Sequence, residues 1–255
     1  MITSRSNPTF KQLRRLRDNR SRRAAGEILT DGWRQTDLAL ASGRDPIALY
    51  VDDVGCHAAV GRGVDASRLT LMSRELLRSA AYGDVDVEVI GRFDWSVPAL
   101  SIDALPDRPR VLVADRMEKP GNIGAVLRCV DAVGFDALVL CGGGDPSHPH
   151  AVRNSQGAVF TVPISRTDDD AAATRLFHDA DVSVYAARVE GATPMQAVDW
   201  GDGGVAIVVG NEADGLGDRW GGAGVRPVAI EMRGGVDSLN VSVSAALLMY
   251  QVPVR

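Results

Sequence analysis

Residues 228–253, VAIEMRGGVDSLNVSVSAALLMYQVP, decide how the rest of the chain is read. Residues 228–230 form a short apolar strand, and residues 233–237 a polar turn containing Gly234 and Gly235. Ser238, Leu239 and Asn240 follow, and an almost wholly apolar helix pattern runs over 241–250. Small polar residues at a helix start cap its free N–H groups, which is the plain reading of Ser238 and Asn240. A Ser-Leu-Asn-Val-Ser run between two glycines and an apolar helix is too particular for capping alone.

Working outward, the preceding residues alternate strand and helix signals. Strands are expected at 111–114, 137–140, 159–162, 182–187 and 205–209, with helices at 123–133 and around 171–180. The strands are β-branched and do not alternate with polar residues, which predicts a parallel sheet covered on both faces. Asp168, Asp169 and Asp170 read as a helix start, because acids favour the first turn. Before this domain the periodicity fades from Phe93 to Pro109, and Pro98, Pro106 and Pro109 mark a linker, taken as 96–109, or the loop bringing the chain into a second domain. Residues 1–95 read as a smaller α/β unit. Its strands are expected at 47–51, 69–72 and 85–90, with helices at 32–40 and 73–80 and a short apolar stretch at 27–29. The expected division is therefore 1–95, a linker at 96–109, and a sheet domain at 110–255.

Composition narrows the partners. The chain has 255 residues, of which 45% are apolar and 24% charged, enough to bury a core. A net charge of −5 argues against a protein whose whole surface binds polyanions. The N-terminus differs: Arg5, Lys11, Arg14, Arg15, Arg17, Arg20, Arg22 and Arg23 face only Asp18. Phe10, Leu13 and Leu16 recur at three-residue spacing, so one face packs while the arginines point outward. A basic arm on an acidic body is the footprint of a nucleic-acid contact, a solvated helix face being the plainer alternative. Cys56, Cys129 and Cys141 never form a CxxC pair, which fits a reducing compartment and excludes a disulfide framework or zinc ribbon. Neither a signal peptide nor an apolar run of about 18 residues is present, so the expected compartment is the cytoplasm. His148 and His150 flank Pro149 without a third ligand at metal spacing and read as ordinary loop residues. Aromatics are too few for a base-stacking platform to be assigned from the sequence.

Three stretches lie just past strand ends, where open α/β sheets bind ligands. The first is KPGNIGAVLRCVDAVGF, residues 119–135. Ile123, Val126, Leu127, Val130 and Val133 make its buried stripe, while Gly121, Gly124 and Arg128 fall off it, which favours an anion near the helix start. The second is VVGNEADGL, residues 208–216, where Gly210 allows close backbone approach and Glu212 is an acid on a turn. The third is the closing loop and helix. Gly142, Gly143 and Gly144 do not give a GxGxxG before a helix, so a Rossmann nucleotide site is weak.

On these residues the chain resembles the SpoU (TrmH-like) RNA ribose 2′-O-methyltransferases of the SPOUT superfamily. The family's first motif is matched by Asn122, Gly124 and Arg128, and its second by Gly210, Asn211, Glu212 and Gly215. Its third is matched by Ile230, Met232, Ser238, Leu239, Asn240 and Ser242, with NSQGAVF at 154–160 as a subsidiary match. The likeness spans about residues 111–250; the N-terminal part resembles, more loosely, the RNA-binding extension of the rRNA-modifying branch. Two residues depart from the pattern: Lys119 stands where many relatives carry an acid, and Glu231 where they carry proline.

The resemblance implies a parallel-sheet domain whose C-terminal chain forms a trefoil knot, a rare exception to chain topology. It implies S-adenosyl-L-methionine as cofactor, held by Gly210, Asn211, Gly215, Ile230, Met232 and Leu239, and catalysis by Arg128, Glu212, Asn240, Ser238 and Asn122. It further implies a homodimer with the site at the interface, RNA bound by Arg14, Arg15, Arg17, Arg20, Arg22 and Arg23, and no metal or membrane. The expected substrate is 23S rRNA. A tRNA ribose methyltransferase is the runner-up, disfavoured because that branch more often carries helical extensions at both ends. A non-catalytic RNA-binding protein is the third reading, against which Arg128, Glu212 and Asn240 argue.

Overall fold

A computed structural model describes residues 1–83, 85–211 and 213–253. The chain divides into two compact units, Met1–Ser96 with Pro146–Thr161, and Val97–Asp145 with Val162–Arg255.

The first unit begins with a helical hairpin, α1 (Pro8–Arg15) and α2 (Asn19–Ala25), capped by the side chains of Asn7 and Asp18. It continues through β1 (Glu27–Asp31), α3 (Trp33–Ala41), β2 (Pro46–Val51) and α4 (Asp53–Gly61). The segments β3 (Leu69–Leu71), α5 (Arg74–Ala80) and β4 (Val89–Asp94) follow. The strands form one mixed sheet in the order β1-β4-β2-β3, antiparallel except where β2 meets β3. Phe10, Leu13 and Leu16 are buried, as their spacing requires, against Met72, Leu76 and Leu77. The arm is therefore a hairpin docked on its own unit.

The second unit contributes β5 (Arg110–Asp115), α6 (Pro120–Val133) and β6 (Ala137–Cys141). The chain then returns to the first unit for α7 (Pro149–Asn154) and α8 (Ala158–Thr161). It re-enters the second with β7 (Ile164–Thr167), α9 (Asp170–Asp179), β8 (Val182–Ala187) and β9 (Thr193–Pro194). It closes with β10 (Gly204–Val209), β11 (Val225–Ala229) and α10 (Val241–Met249). The seven strands are parallel in the order β7-β6-β5-β10-β8-β11-β9. Every residue of β10 is buried, as a central strand covered on both faces demands. Asp169 caps α9 by accepting from the Ala172 amide at 2.8 Å, so the acidic run starts a helix as expected.

Three expectations need correction. Residues 159–162, read as a strand, lie largely in α8, where Ser155 Oγ accepts from the Gly157 and Val159 amides and turns the chain into a helix. The last strand of the first unit is four residues later than expected, because Arg92 is internal to it. That guanidinium stands opposite Leu29 in the register, pairs diagonally with Glu27 at 2.7 and 2.8 Å and is bonded to the Tyr50 hydroxyl, so a charge sits inside a strand. Residues 97–109 are not a free tether: Leu100, Ile102 and Leu105 pack on the core of the second unit, and Ala99 bridges Arg166.

Candidate active site

The sheet order makes β5, β10, β8 and β11 neighbours, and their register aligns the carboxyl ends: Val209 opposite Ala114, Val208 opposite Ala186, Val228 opposite Ala187. The loops leaving these ends converge on one cavity of about 630 Å³. That size falls within the range of small-molecule sites. Asn122 and Lys119 line it from the start of α6, Gly210, Asn211 and Gly215 from the loop after β10. Ile230, Met232, Ser238, Leu239 and Asn240 line it from the closing stretch.

The closing loop is built by Asn240. Its Oδ1 accepts from the Ser242 amide at 2.9 Å and the Ser242 hydroxyl at 2.6 Å, capping α10. Its Nδ2 donates across to Asn122 Oδ1 at 3.2 Å. One side chain thus starts a helix and ties the third motif to the first, and the cap is Asn240 rather than Ser238. Behind this tie α10 packs on α6, burying Val241, Ala245, Leu248 and Met249. The loop itself faces outward, with Val236 62% and Leu239 37% exposed, apolar surface that a ligand or partner would cover.

The loop after β10 turns on itself. Asn211 Oδ1 accepts from the Ala213 and Asp214 amides at 2.9 and 2.8 Å, and Asn211 bridges Gly215, whose φ is 58°. A Cβ on Gly210 would lie 2.2 Å from the Gly215 carbonyl carbon and 2.6 Å from the Leu216 nitrogen. The chain's own backbone therefore requires glycine at 210. Open space surrounds Gly234 and Gly235.

A set of charged side chains that the motifs do not mark holds this loop. Asp115, fully buried at the end of β5, accepts from Arg219 Nε at 3.0 Å and Trp220 Nε1 at 3.1 Å through Oδ1. Its Oδ2 accepts from Arg116 Nε at 3.0 Å. Arg116 then donates to the Gly215 and Leu216 carbonyls at 3.3 and 3.2 Å. Arg188, beyond β8, donates to the Gly217 carbonyl at 2.9 Å and to that of Arg219. Burial, reinforced by the Asp115 carboxylate, pushes the neighbouring Cys141 thiol up to about 12. Asp115 and Arg219 were legible only as an acid at a strand end and a charge in a loop. Their role appears once the strands are aligned.

Other expected residues lie elsewhere. Arg128 is on the exposed face of α6, six residues and about 9 Å along the axis from Asn122, outside the cavity lining. Glu212 falls outside the described residues. In the hairpin, Arg14, Arg15, Arg20 and Arg23 are exposed. Arg17 instead makes a bidentate pair with Asp31 at 2.6 and 2.9 Å. Arg22 is fully buried, donating to Asn19 Oδ1 at 2.9 Å, Ser147 Oγ at 3.2 Å and the Leu16 carbonyl at 3.4 Å. The outward face thus excludes Arg17 and Arg22. Among the described residues there is no cluster of metal-ligating side chains, and no helix is long and apolar enough to cross a membrane.

A parallel sheet whose carboxyl-end loops close on a mid-sized cavity defines an α/β protein with a small-molecule site at its sheet edge. The model of the SpoU rRNA methylase family matches residues 109–250, and the chain belongs to that family. It is, as a member, an S-adenosylmethionine-dependent RNA methyltransferase. It is 29% identical to the 23S rRNA (uridine(2479)-2'-O)-methyltransferase of Streptomyces viridochromogenes, over 98% of this chain and 90% of that one. It is 26% identical to the 23S rRNA (guanosine(2553)-2'-O)-methyltransferase RlmP of Bacillus subtilis, over 98% of both. The solved structure of the SpoU methyltransferase AviRb from Streptomyces viridochromogenes, in complex with AdoMet, superposes with a TM-score of 0.85 at 25% identity, covering 96% of this chain and 97% of that one.

Proposed function

We propose that this protein methylates a ribose 2′-oxygen in large-subunit ribosomal RNA, in the cytoplasm. The observation that carries the reading is the Asn240–Asn122 tie, which joins the first and third motif stretches around the cavity at the end of the sheet. The full-length likeness to 23S rRNA ribose methyltransferases favours rRNA over tRNA as substrate.

The cavity fits the cofactor in size and in its mixture of apolar side chains with amide and hydroxyl groups. When bound, S-adenosylmethionine supplies an electrophilic methyl on a sulfonium. Gly210, Ile230 and Leu239 would hold it through main-chain groups, with Asn211, Gly215 and Met232 completing the walls. The acceptor hydroxyl is a weak nucleophile, so positioning carries much of the rate, roughly 7–11 kcal/mol at near-attack geometry. Arg128 cannot serve as a base because a guanidinium stays protonated. It clamps the RNA phosphate and stabilises the developing alkoxide, with Glu212 orienting it, while Asn122 holds the cavity wall through Asn240. Ser238 and Asn240 hold the ribose and the loop.

The site is completed in a homodimer. Val243, Leu247 and Tyr250 are 46%, 37% and 67% exposed and share one face of α10 and its end. This apolar stripe lies on the helix that packs on α6, which carries Arg128, so a partner seated there would lie close to that arginine. The closing stretch is threaded as a trefoil knot. In support, β10 is inserted between β5 and β8 while β11 lies beyond β8.

Incubation with methyl-labelled cofactor and separate rRNA and tRNA pools tests the activity. Label should enter 23S rRNA at one blocked 2′-oxygen. Label confined to tRNA would overturn the substrate, and label in neither pool the activity.

A further inference from the structure

We infer that Tyr82, His148 and His150 form a platform on which an unpaired RNA base stacks, flanked by arginines that take its phosphates. The proposal deepens the RNA reading above. It assigns a binding site in the first unit that the transfer chemistry does not use.

The three rings come from two loops far apart in sequence. The Tyr82 ring lies 6.1 Å from that of His148, edge-on at 81°, and 6.3 Å from that of His150, nearly parallel at 28°. Tyr82 and His148 are half-buried and His150 is exposed, so the group is partly open to solvent. His148 caps α7, its Nδ1 accepting from the His150 amide at 3.1 Å, and buried Pro149 fixes the turn between them.

Arginines of the basic hairpin assemble the group. Buried Arg22 donates to Ser147 and so anchors the residue before His148. Arg14 donates to the Ser79 carbonyl at 2.5 Å and Arg17 to that of Ala80 at 2.8 Å, which holds the segment leading to Tyr82 against the same hairpin. Arg22, buried in the hairpin, thus has a part in RNA binding through the loop it holds. A further exposed cation stands next to Tyr82: on α7, an Nη1 of Arg153 comes within 3.5 Å of where a side chain on the adjacent Gly83 would begin.

Rings left partly in water among guanidinium groups match single-stranded RNA, whose bases offer a free π-face and whose phosphates need cations. Duplex RNA offers the phosphates without the free face.

Fluorescence anisotropy on the full-length protein, with a short labelled unpaired oligoribonucleotide and an RNA duplex of equal length, tests this. Tyr82→Ala should raise the Kd for the unpaired strand about tenfold, from the usual worth of one stacked base. Tyr82→Phe should restore it, His150→Ala should weaken it severalfold, and duplex binding should not change. Salt dependence should be unaltered by the ring variants and shallower in Arg153→Gln. Because His150 is exposed, its removal should change stability by no more than about 0.5 kcal/mol, so it decides the matter if Tyr82→Ala fails to fold. Unchanged binding of the unpaired strand to His150→Ala and any folded Tyr82→Ala, or equal weakening for the duplex, overturns the platform alone. A wild-type protein that binds neither RNA overturns the platform and the RNA reading together.

Discussion

The loops at the carboxyl edge of the parallel sheet and the basic hairpin at the N-terminus both announce themselves in the sequence, yet they translate into structure differently. At the sheet edge, glycines and small polar residues mark backbone geometry, and backbone geometry depends on few neighbours. Gly210 is required because the Gly215 and Leu216 main chain passes where its side chain would be. In the hairpin the signal is charge, and a long arginine can turn its charge in either direction. Arg20 and Arg23 keep theirs outside, whereas Arg22 carries its guanidinium into the interior. A motif of backbone-defining residues places its atoms, while a run of like charges places only a potential.

The largest test of that contrast is at the sheet edge. Arg128→Ala should lower kcat by about 100-fold or more, the usual worth of a group stabilising developing charge. Affinity for S-adenosylhomocysteine, read by calorimetry, should stay near wild type. A matching loss of cofactor affinity would place Arg128 in the cofactor pocket instead.

Next come the glycines. Gly210→Ala should cost about 1–3 kcal/mol in denaturant unfolding, because backbone must move to admit the methyl, and should weaken cofactor binding as well. Gly234→Ala and Gly235→Ala have open space and should change stability by no more than about 0.5 kcal/mol. If the cofactor lies against them, its affinity should still fall. Equal stability losses at 210 and 234 would erase the distinction drawn between the two loops.

The hairpin splits in the same way. Arg22→Ala removes a fully buried guanidinium with its bonds to Ser147, Asn19 and the Leu16 carbonyl and should destabilise the protein by about 1–3 kcal/mol. Arg20→Gln and Arg23→Gln should leave stability unaltered but each reduce the salt slope of RNA binding by about one. Thermal melts and salt titrations separate the two outcomes.

The smallest effect is chemical. The Cys141 thiol is raised by burial and by Asp115, so its neutral form is favoured in the folded state. Its contribution is complete below the ordinary thiol value of 9.0 and fades as pH climbs toward about 12. Iodoacetamide at pH 9 should therefore spare Cys141 in the native protein and modify it once unfolded, as peptide mass mapping would reveal.

How far the sequence could be read follows from the same physics. Runs such as residues 205–209 and 182–187 gave strands with accurate limits. Residues 159–162 did not, because a short apolar run fits either a buried strand or a buried helix; the deciding hydroxyl of Ser155 lies outside the run. The fourth strand was misplaced because Arg92 looks like surface until β1 is laid beside it and Glu27, diagonal to it, takes its charge. At the site, the motif residues lining the cavity were named in advance, with Arg128 lying outside its lining in a single chain. The scaffold of Asp115, Arg116, Arg188 and Arg219 was not, for it exists only once β5, β8 and the loop after β10 are neighbours. The Tyr82–His148–His150 group escaped notice for the same reason.

Calorimetric titration of S-adenosylhomocysteine into wild-type protein and a Leu239→Trp variant tests most directly whether the three converging loops make the cofactor site. Leu239 lines the cavity and is partly exposed, so an indole there fills the space with little effect on the core. The account predicts saturable binding to the wild type that the variant loses while remaining folded. No heat with the wild type, or equal affinity in the two proteins, would contradict it.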